Sequence, residues 1–135
     1  MTAKQYLKQA YRLNELIECN RKELADLKEL STSTGAIDYA KDRVQTSTSP
    51  DAPYTKIVMK IVELEEAINK DIEALFDLKI QIRTSINEVE DHDERLVLHK
   101  RYLNFETWDE ICAELEMSNR TIHRIHANAL EHVKI

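Results

Sequence analysis

The chain is nearly without turn formers. Its 135 residues hold one glycine, Gly35, and two prolines, Pro50 and Pro53, and a chain so poor in backbone breakers reads as mostly helix. Gly35 alone cannot build a loop that cradles phosphate, which removes the P-loop enzymes. Only two cysteines occur, Cys19 and Cys112, one in each helical region; they read as reduced thiols rather than a disulfide framework. No apolar run approaches the roughly 18 residues that span a bilayer, and Met1-Thr2-Ala3-Lys4-Gln5 lacks the apolar core of a signal peptide. The expectation is a cytoplasmic protein with no membrane partner. Positive charge is short as well. Nineteen Lys and Arg stand against 25 Asp and Glu, for a net charge of −6, so any attraction to nucleic acid must come from a local basic surface.

What is present separates into three parts. Over residues 2–30, Ala10, Leu13, Ile17, Asn20, Leu24 and Leu27 follow 3-4-3-4-3 spacing, the seam of a helix that packs on another helix. Asn20 falls on that seam, where one polar residue can set register or partner number. Tyr6, Leu7, Tyr11, Leu16 and Leu30 widen the stripe. Residues 31–53 hold the glycine and both prolines and read as a loop, long for a compact domain. Pro53 suits the first turn of a second helix. That helix extends to about Val89, with Ile57, Ile61, Leu64, Ile68, Ile72, Leu75, Ile82, Ile86 and Val89 at threes and fours. Two long amphipathic helices joined by a loop form either an antiparallel hairpin or an oligomeric coiled coil. Residues 1–90 are thus expected to serve oligomerisation or partner contact, with a homodimer as the simplest outcome.

From Asp91 the pattern shortens. Asp91-His92-Asp93-Glu94 has the form of an N-terminal cap and opens a helix through Leu96, Val97, Leu98, Tyr102 and Leu103. Thr107-Trp108-Asp109-Glu110 is a second capping box, for a helix whose buried side is Trp108, Ile111, Cys112 and Leu115. Ser118 caps a third helix with Ile122, Ile125, Ala129 and Val133 on one face. A short helix, a tight turn and another short helix is the plan of a helix-turn-helix. The fold class expected is therefore all-α: long N-terminal helices, then a DNA-binding helix-turn-helix over 91–135.

The outward face of the third helix carries Asn119, Arg120, Thr121, His123, Arg124 and Asn128, and no Asp or Glu occurs between Met117 and Leu130. Arg120 stands in the first turn, where a cation opposes the helix dipole at a cost of about 0.3–1 kcal/mol. A residue misplaced for stability is explained if it meets a phosphate or a guanine edge. These six are the expected DNA-binding residues.

The run RLVLHKRYLNFETWDEICAELEMSNRTIHRIHANAL resembles region 4 of the sigma-70 family. The matched positions are Val97, Leu98, Arg101, Tyr102, Thr107, Glu110, Ile111, Leu115, Ser118, Ile122, Ile125, Ala129 and Leu130. The whole layout, with the stretch from Asp42 to Ser47 in its loop, is similar to small phage-encoded late-gene regulators of the ArpU and RinA types. The resemblance implies transcription regulation in a phage or prophage, with double-stranded DNA and RNA polymerase as partners. By position it makes Asn119, Arg120, His123 and Arg124 the residues that reach bases or phosphates, with Thr121 a weaker choice. Lys100 and Arg101 become candidates for backbone or partner contact, Arg101 equally for a structural role. Cys112 departs from the Ala usual in the family, and Glu116 replaces the Gly common in the turn. Nothing in the first 90 residues matches the sigma regions that melt promoters, so the resemblance points to an accessory regulator.

Other chemistries are weakly supported. His123 and His126 stand three apart, with His99 and His132 nearby, but no cysteine cluster completes a zinc site, and these histidines are expected to face solvent or DNA. The carboxylates lie at helix-surface spacing beside Lys and Arg, the pattern of a solvated face. No nucleophile, base and orienting group come together, so neither an enzyme nor a cofactor is expected. Two alternatives to a regulator stay open. One is a DNA-packaging protein of the small-terminase kind, against which the C-terminal position of the DNA-binding part counts. The other is a coiled-coil adaptor whose helix-turn-helix binds protein.

Overall fold

The structure is a computed structural model that describes residues 1–32 and 53–135. Most of the expected loop at 31–53, including the Asp42–Ser47 stretch, lies outside the described residues. All regular structure among the described residues is helical. Helix α1 spans Ala3–Leu30, α2 Pro53–Asn87, α3 His92–Leu98, α4 Trp108–Leu115 and α5 Asn119–His132. Helix α3 does not stop at Leu98 but widens into a π turn over His99–Leu103, closed by Asn104 N–H donating to His99 O at 3.1 Å. No described helix is long and apolar enough to cross a membrane. Both cysteines are free thiols.

Packing divides the chain into two compact units, residues 1–14 with 74–135, and residues 15–73. The boundary does not fall at 90–91, where the change of sequence pattern puts it. The reason is that the start of α1 and the end of α2 lend their apolar stripes to the short C-terminal helices. Leu7 and Ala10 from α1, Ile82 and Ile86 at the end of α2, and Val89 just beyond it share one buried cluster with Leu98, Tyr102, Leu103, Ala129 and Val133. Each fully buried Leu, Ile or Val in it contributes about 1.5–3 kcal/mol. In the other unit, Ile17 of α1 and Ile68 of α2 are buried. There Glu23 and Leu27 of α1 line a hollow with Lys60, Glu63, Leu64 and Ala67 of α2. The seam read from the sequence of α1 is the inward side throughout, Asn20 included, while Tyr11, Leu16 and Leu30 are exposed. On α2 the inward row steps by seven through Ile68, Leu75 and Ile82, and Ile72 falls on its flank, exposed.

Two polar ties bind α5 to α3 and its π turn. Glu94, itself buried, bonds the imidazole of His132 at the end of α5. Deeper in, Tyr102 Oη and His126 Nε2 lie 2.7 Å apart, both side chains buried. His126 thus corrects the expectation that the histidines face solvent or DNA. It is 7% exposed because the four-residue step from Ile122 sets it on the apolar side of α5. Burial pushes the Tyr102 phenol up to about 12. Burial first, then the charges of Lys4, His123, Arg101 and Lys8, push His126 down to about 4.

The π turn ends in a strained corner. Phe105 has φ 59°, a left-handed conformation that is unusual for a bulky side chain and costs on the order of 1–3 kcal/mol. Its ring packs against the first cluster, takes the edge of Tyr11 of α1 at 5.8 Å, and lies 4.6 Å from the ammonium of Lys79 of α2. These contacts hold the chain as it turns from the π turn toward α4.

The depressed His126 predicts an acid-side loss of stability. Its folded pKa of about 4 lies below the ordinary 6.5, so the unfolded chain takes up the proton first. Unfolding free energy should therefore fall as pH drops from about 6.5 to about 4. His132, raised by Glu94, contributes stability that is fully present below about 6.5 and is lost as pH rises above it, so it does not offset this fall. Urea denaturation across this range isolates the buried ring by substitution: His126→Gln should flatten the fall, and an unchanged pH profile in that variant refutes the assignment.

Candidate nucleic-acid interface

The exposed face of α5 is set up by its neighbours. Thr107 caps α4, its Oγ1 accepting from the N–H of Glu110 at 3.2 Å. Ser118 caps α5 in the same way, Oγ accepting from the N–H of Thr121 at 3.2 Å. Asp91 does the same for α3, accepting from Glu94 N–H at 3.0 Å. All three caps are at the positions read from the sequence, and each contributes about 1 kcal/mol. A second apolar cluster then joins α3, α4 and α5: Val97, Ile111 and Ile122 are fully buried, with Trp108, Cys112, Leu115, Met117 and Ile125 packed around them.

The turn between α4 and α5 is short because α4 ends abruptly. Glu116 takes φ 54°, ψ 44°, with its N–H donating to Ala113 O at 3.4 Å and the N–H of Met117 to Cys112 O at 3.1 Å. This pair of bonds is the Schellman ending, in which the left-handed residue is usually glycine. Glu116 adopts the geometry anyway, with Met117 and Cys112 supplying the apolar contact that accompanies it. The turn forms without a glycine, at the expense of strain.

Of the six residues expected to meet DNA, Asn119, Arg120, His123, Arg124 and Asn128 are exposed and Thr121 is half-buried. Arg120, Arg124 and Asn128 follow at four-residue steps and share a face. No ion pair engages Arg120 or Arg124 among the described residues. Thr121 is tied to its cap, taking a hydrogen bond from Ser118 Oγ at 3.0 Å. Asn119 Oδ1 accepts from the Cys112 thiol at 3.1 Å, which leaves its amide N–H groups as donors. His123 leans on Trp108, ring centres 4.6 Å apart.

Lys100 and Arg101 are half-buried and engaged within the chain. Lys100 Nζ sits 2.6 Å from Glu114 Oε2 and 3.8 Å from Glu106 Oε2, its side chain only 16% exposed. The Glu114 hydrogen bond raises its pKa. Arg101 lays its guanidinium 4.4 Å over the Trp108 ring and donates to Glu106 O at 2.9 Å, so of its two expected roles the structure displays the structural one. Trp108 is the residue whose part sequence reading underrated. Arg101, His123 and His126 all pack on its indole, and no local spacing signals contacts that come from two other elements. Glu106, Glu110 and Glu114 bring one carboxylate oxygen each within 4.8 Å, and Lys100 is the cation paired with two of them. Burial, first, raises Glu106, while hydrogen bonds from Glu106 and Lys100 lower Glu114.

Residues 33–134 match the family described as Protein of unknown function (DUF1492), and the chain belongs to that family. No curated protein and no solved structure gives a match.

The left-handed Glu116 yields a direct test of the turn. Glu116→Gly relieves a Cβ clash and should stabilise the chain by about 1 kcal/mol, whereas Glu116→Val should destabilise it by at least that much. Thermal melting of the two variants decides; a glycine variant that melts below the parent contradicts the turn geometry.

Proposed function

We propose, for a member of a family whose description carries no activity, that this protein is a sequence-specific DNA-binding regulator of transcription. In this reading α4, the turn at Glu116–Ser118 and α5 form a helix-turn-helix of the sigma region 4 type. Helix α5 enters the major groove, and α1 and α2 form a helical hairpin. The observation that carries the reading is the pair of exposed arginines on α5. Arg120 and Arg124 stand one turn apart, have no acidic partner among the described residues, and occupy a stretch without Asp or Glu in a chain of net charge −6. Unpaired arginines at that spacing suit guanine edges or phosphates. Asn119 and Asn128 add hydrogen-bonding groups for bases, and His123 is steadied by Trp108.

Capping supports the same reading. Ser118 fixes the start of α5, and residues near the start of a recognition helix are those that reach base edges. One unit of this size binds modestly by itself, so a second copy of the chain, or RNA polymerase, supplies the remaining affinity. A homodimer would read half-sites about 34–36 Å apart.

Selection of bound duplexes from a randomised pool with the full chain provides the ligand for the test. On the recovered duplex, Arg120→Ala and Arg124→Ala should each weaken binding by about 1–3 kcal/mol, on the order of five- to 150-fold. Loss of an arginine that touches only phosphate will lower the salt dependence and leave base preference intact. A double alanine variant that melts normally and keeps full binding would sink the assignment of α5 as the reading helix.

A further inference from the structure

The first three turns of α1 carry a second cationic surface. Residues 1–14 contain Lys4, Lys8 and Arg12 and no acidic residue. The three step by four, so they lie along one face of the helix. With Gln5 and Gln9 they line a single hollow that runs along the helix surface. None of the three makes an ion pair or hydrogen bond among the described residues. Like charges at this spacing weaken a helix, and a cation in the first turn opposes its dipole. The arrangement therefore works against α1 unless something anionic meets it.

That face lies beside α5. Leu130 of α5 packs on the cluster that holds Leu7 and Ala10 of α1, and Lys4 and Lys8 are close enough to His126 for their charges to oppose its protonation. Along the surface of α5 the row from Leu130 and His126 steps back by three to Ala127 and His123, both exposed. The cations of α1 thus border the edge of α5 on which the proposed reading face begins. Acidity is concentrated elsewhere. Residues 15–73 have 13 Asp and Glu against 8 Lys and Arg, while the unit that contains both surfaces has 12 against 11.

We propose that Lys4, Lys8 and Arg12 form a second contact to the duplex, holding the phosphate backbone beside the groove that α5 enters. The proposal rests on the DNA-binding reading of α5 and extends it to a part of the chain outside the helix-turn-helix. Phosphate suits these residues better than bases do, since they project from a helix held against the core by Leu7 and Ala10. Between the cations the face presents glutamines, not the large apolar side chains that a membrane-lying helix inserts.

The test compares the wild-type chain with Lys4→Gln/Lys8→Gln/Arg12→Gln on the duplex recovered by selection, over a series of salt concentrations. Each lost phosphate contact removes about 0.9 from the slope of log affinity against log salt. The triple variant should therefore show a slope shallower by about 2–3, weaker binding on matched and mismatched duplexes alike, and melting no lower than that of the wild type. Lys4→Arg/Lys8→Arg should keep the wild-type slope. An unchanged slope in the triple variant overturns the proposal and leaves the reading of α5 standing. Failure of the wild-type chain to bind any duplex overturns both. Binding to phosphatidylserine vesicles that the triple variant loses, with its DNA slope intact, assigns the stripe to lipid and overturns the proposal as well.

Discussion

Tyr102 joins the two halves of the C-terminal packing. Its ring belongs to the cluster built on Leu7, Ile82 and Ile86, while its hydroxyl reaches the imidazole of His126 at 2.7 Å. His126 in turn meets the edge of Trp108, which packs against the Val97–Ile111–Ile122 cluster. A buried hydroxyl or imidazole left unpaired costs about 1–3 kcal/mol, so the two side chains require one another. Their bond sets the depth at which α5 sits on the π turn. Everything exposed on the far side of α5, including Arg120 and Arg124, inherits its position from that contact.

The π turn at His99–Leu103 explains how Leu103 joins Tyr102 in the core. An α-helix continued past Leu98 would keep Tyr102, four residues on, on the face of Leu98 but carry Leu103, five residues on, well around the axis. The wider turn keeps both buried in the same cluster as Leu98. The adjustment ends at Phe105, whose left-handed backbone is held by Tyr11 and Lys79. Two non-glycine residues with positive φ, Phe105 and Glu116, flank α4 on either side. Phe105 is supported by packing from α1 and α2, and Glu116 by the hydrogen bonds that close the end of α4.

Electrostatics divide the surface by use. Where carboxylates are dense, cations are consumed: Lys100 by Glu114 and Glu106, and His132 by Glu94. Arg120 and Arg124 of α5 and the cations in the first turns of α1 have no acidic partner among the described residues. A chain with a net charge of −6 can thus offer local positive surfaces to a polyanion while the rest of it repels one, which favours a defined orientation of approach.

The sequence by itself determined the helices and their ends. Low glycine and proline content, the 3-4 spacing of Ala10, Leu13 and Ile17, and the side-chain caps Asp91, Thr107 and Ser118 act within one or two turns of chain, so their consequences are local and legible. The exposed residues of α5 were legible for the same reason, since the period of its apolar positions leaves Arg120, Arg124 and Asn128 on the other side. Only the tertiary structure decided which groups are spent inside. Lys100 and Arg101 look in sequence like candidates for contact and are engaged with Glu114 and Trp108. His126 looks like a solvent-facing partner of His123 and lies against Tyr102, 24 residues away. It also decided that the first turns of α1 lie beside α5, more than 100 residues later in the chain. Such pairings depend on how separate apolar stripes share one core, and spacing along the chain carries no record of that.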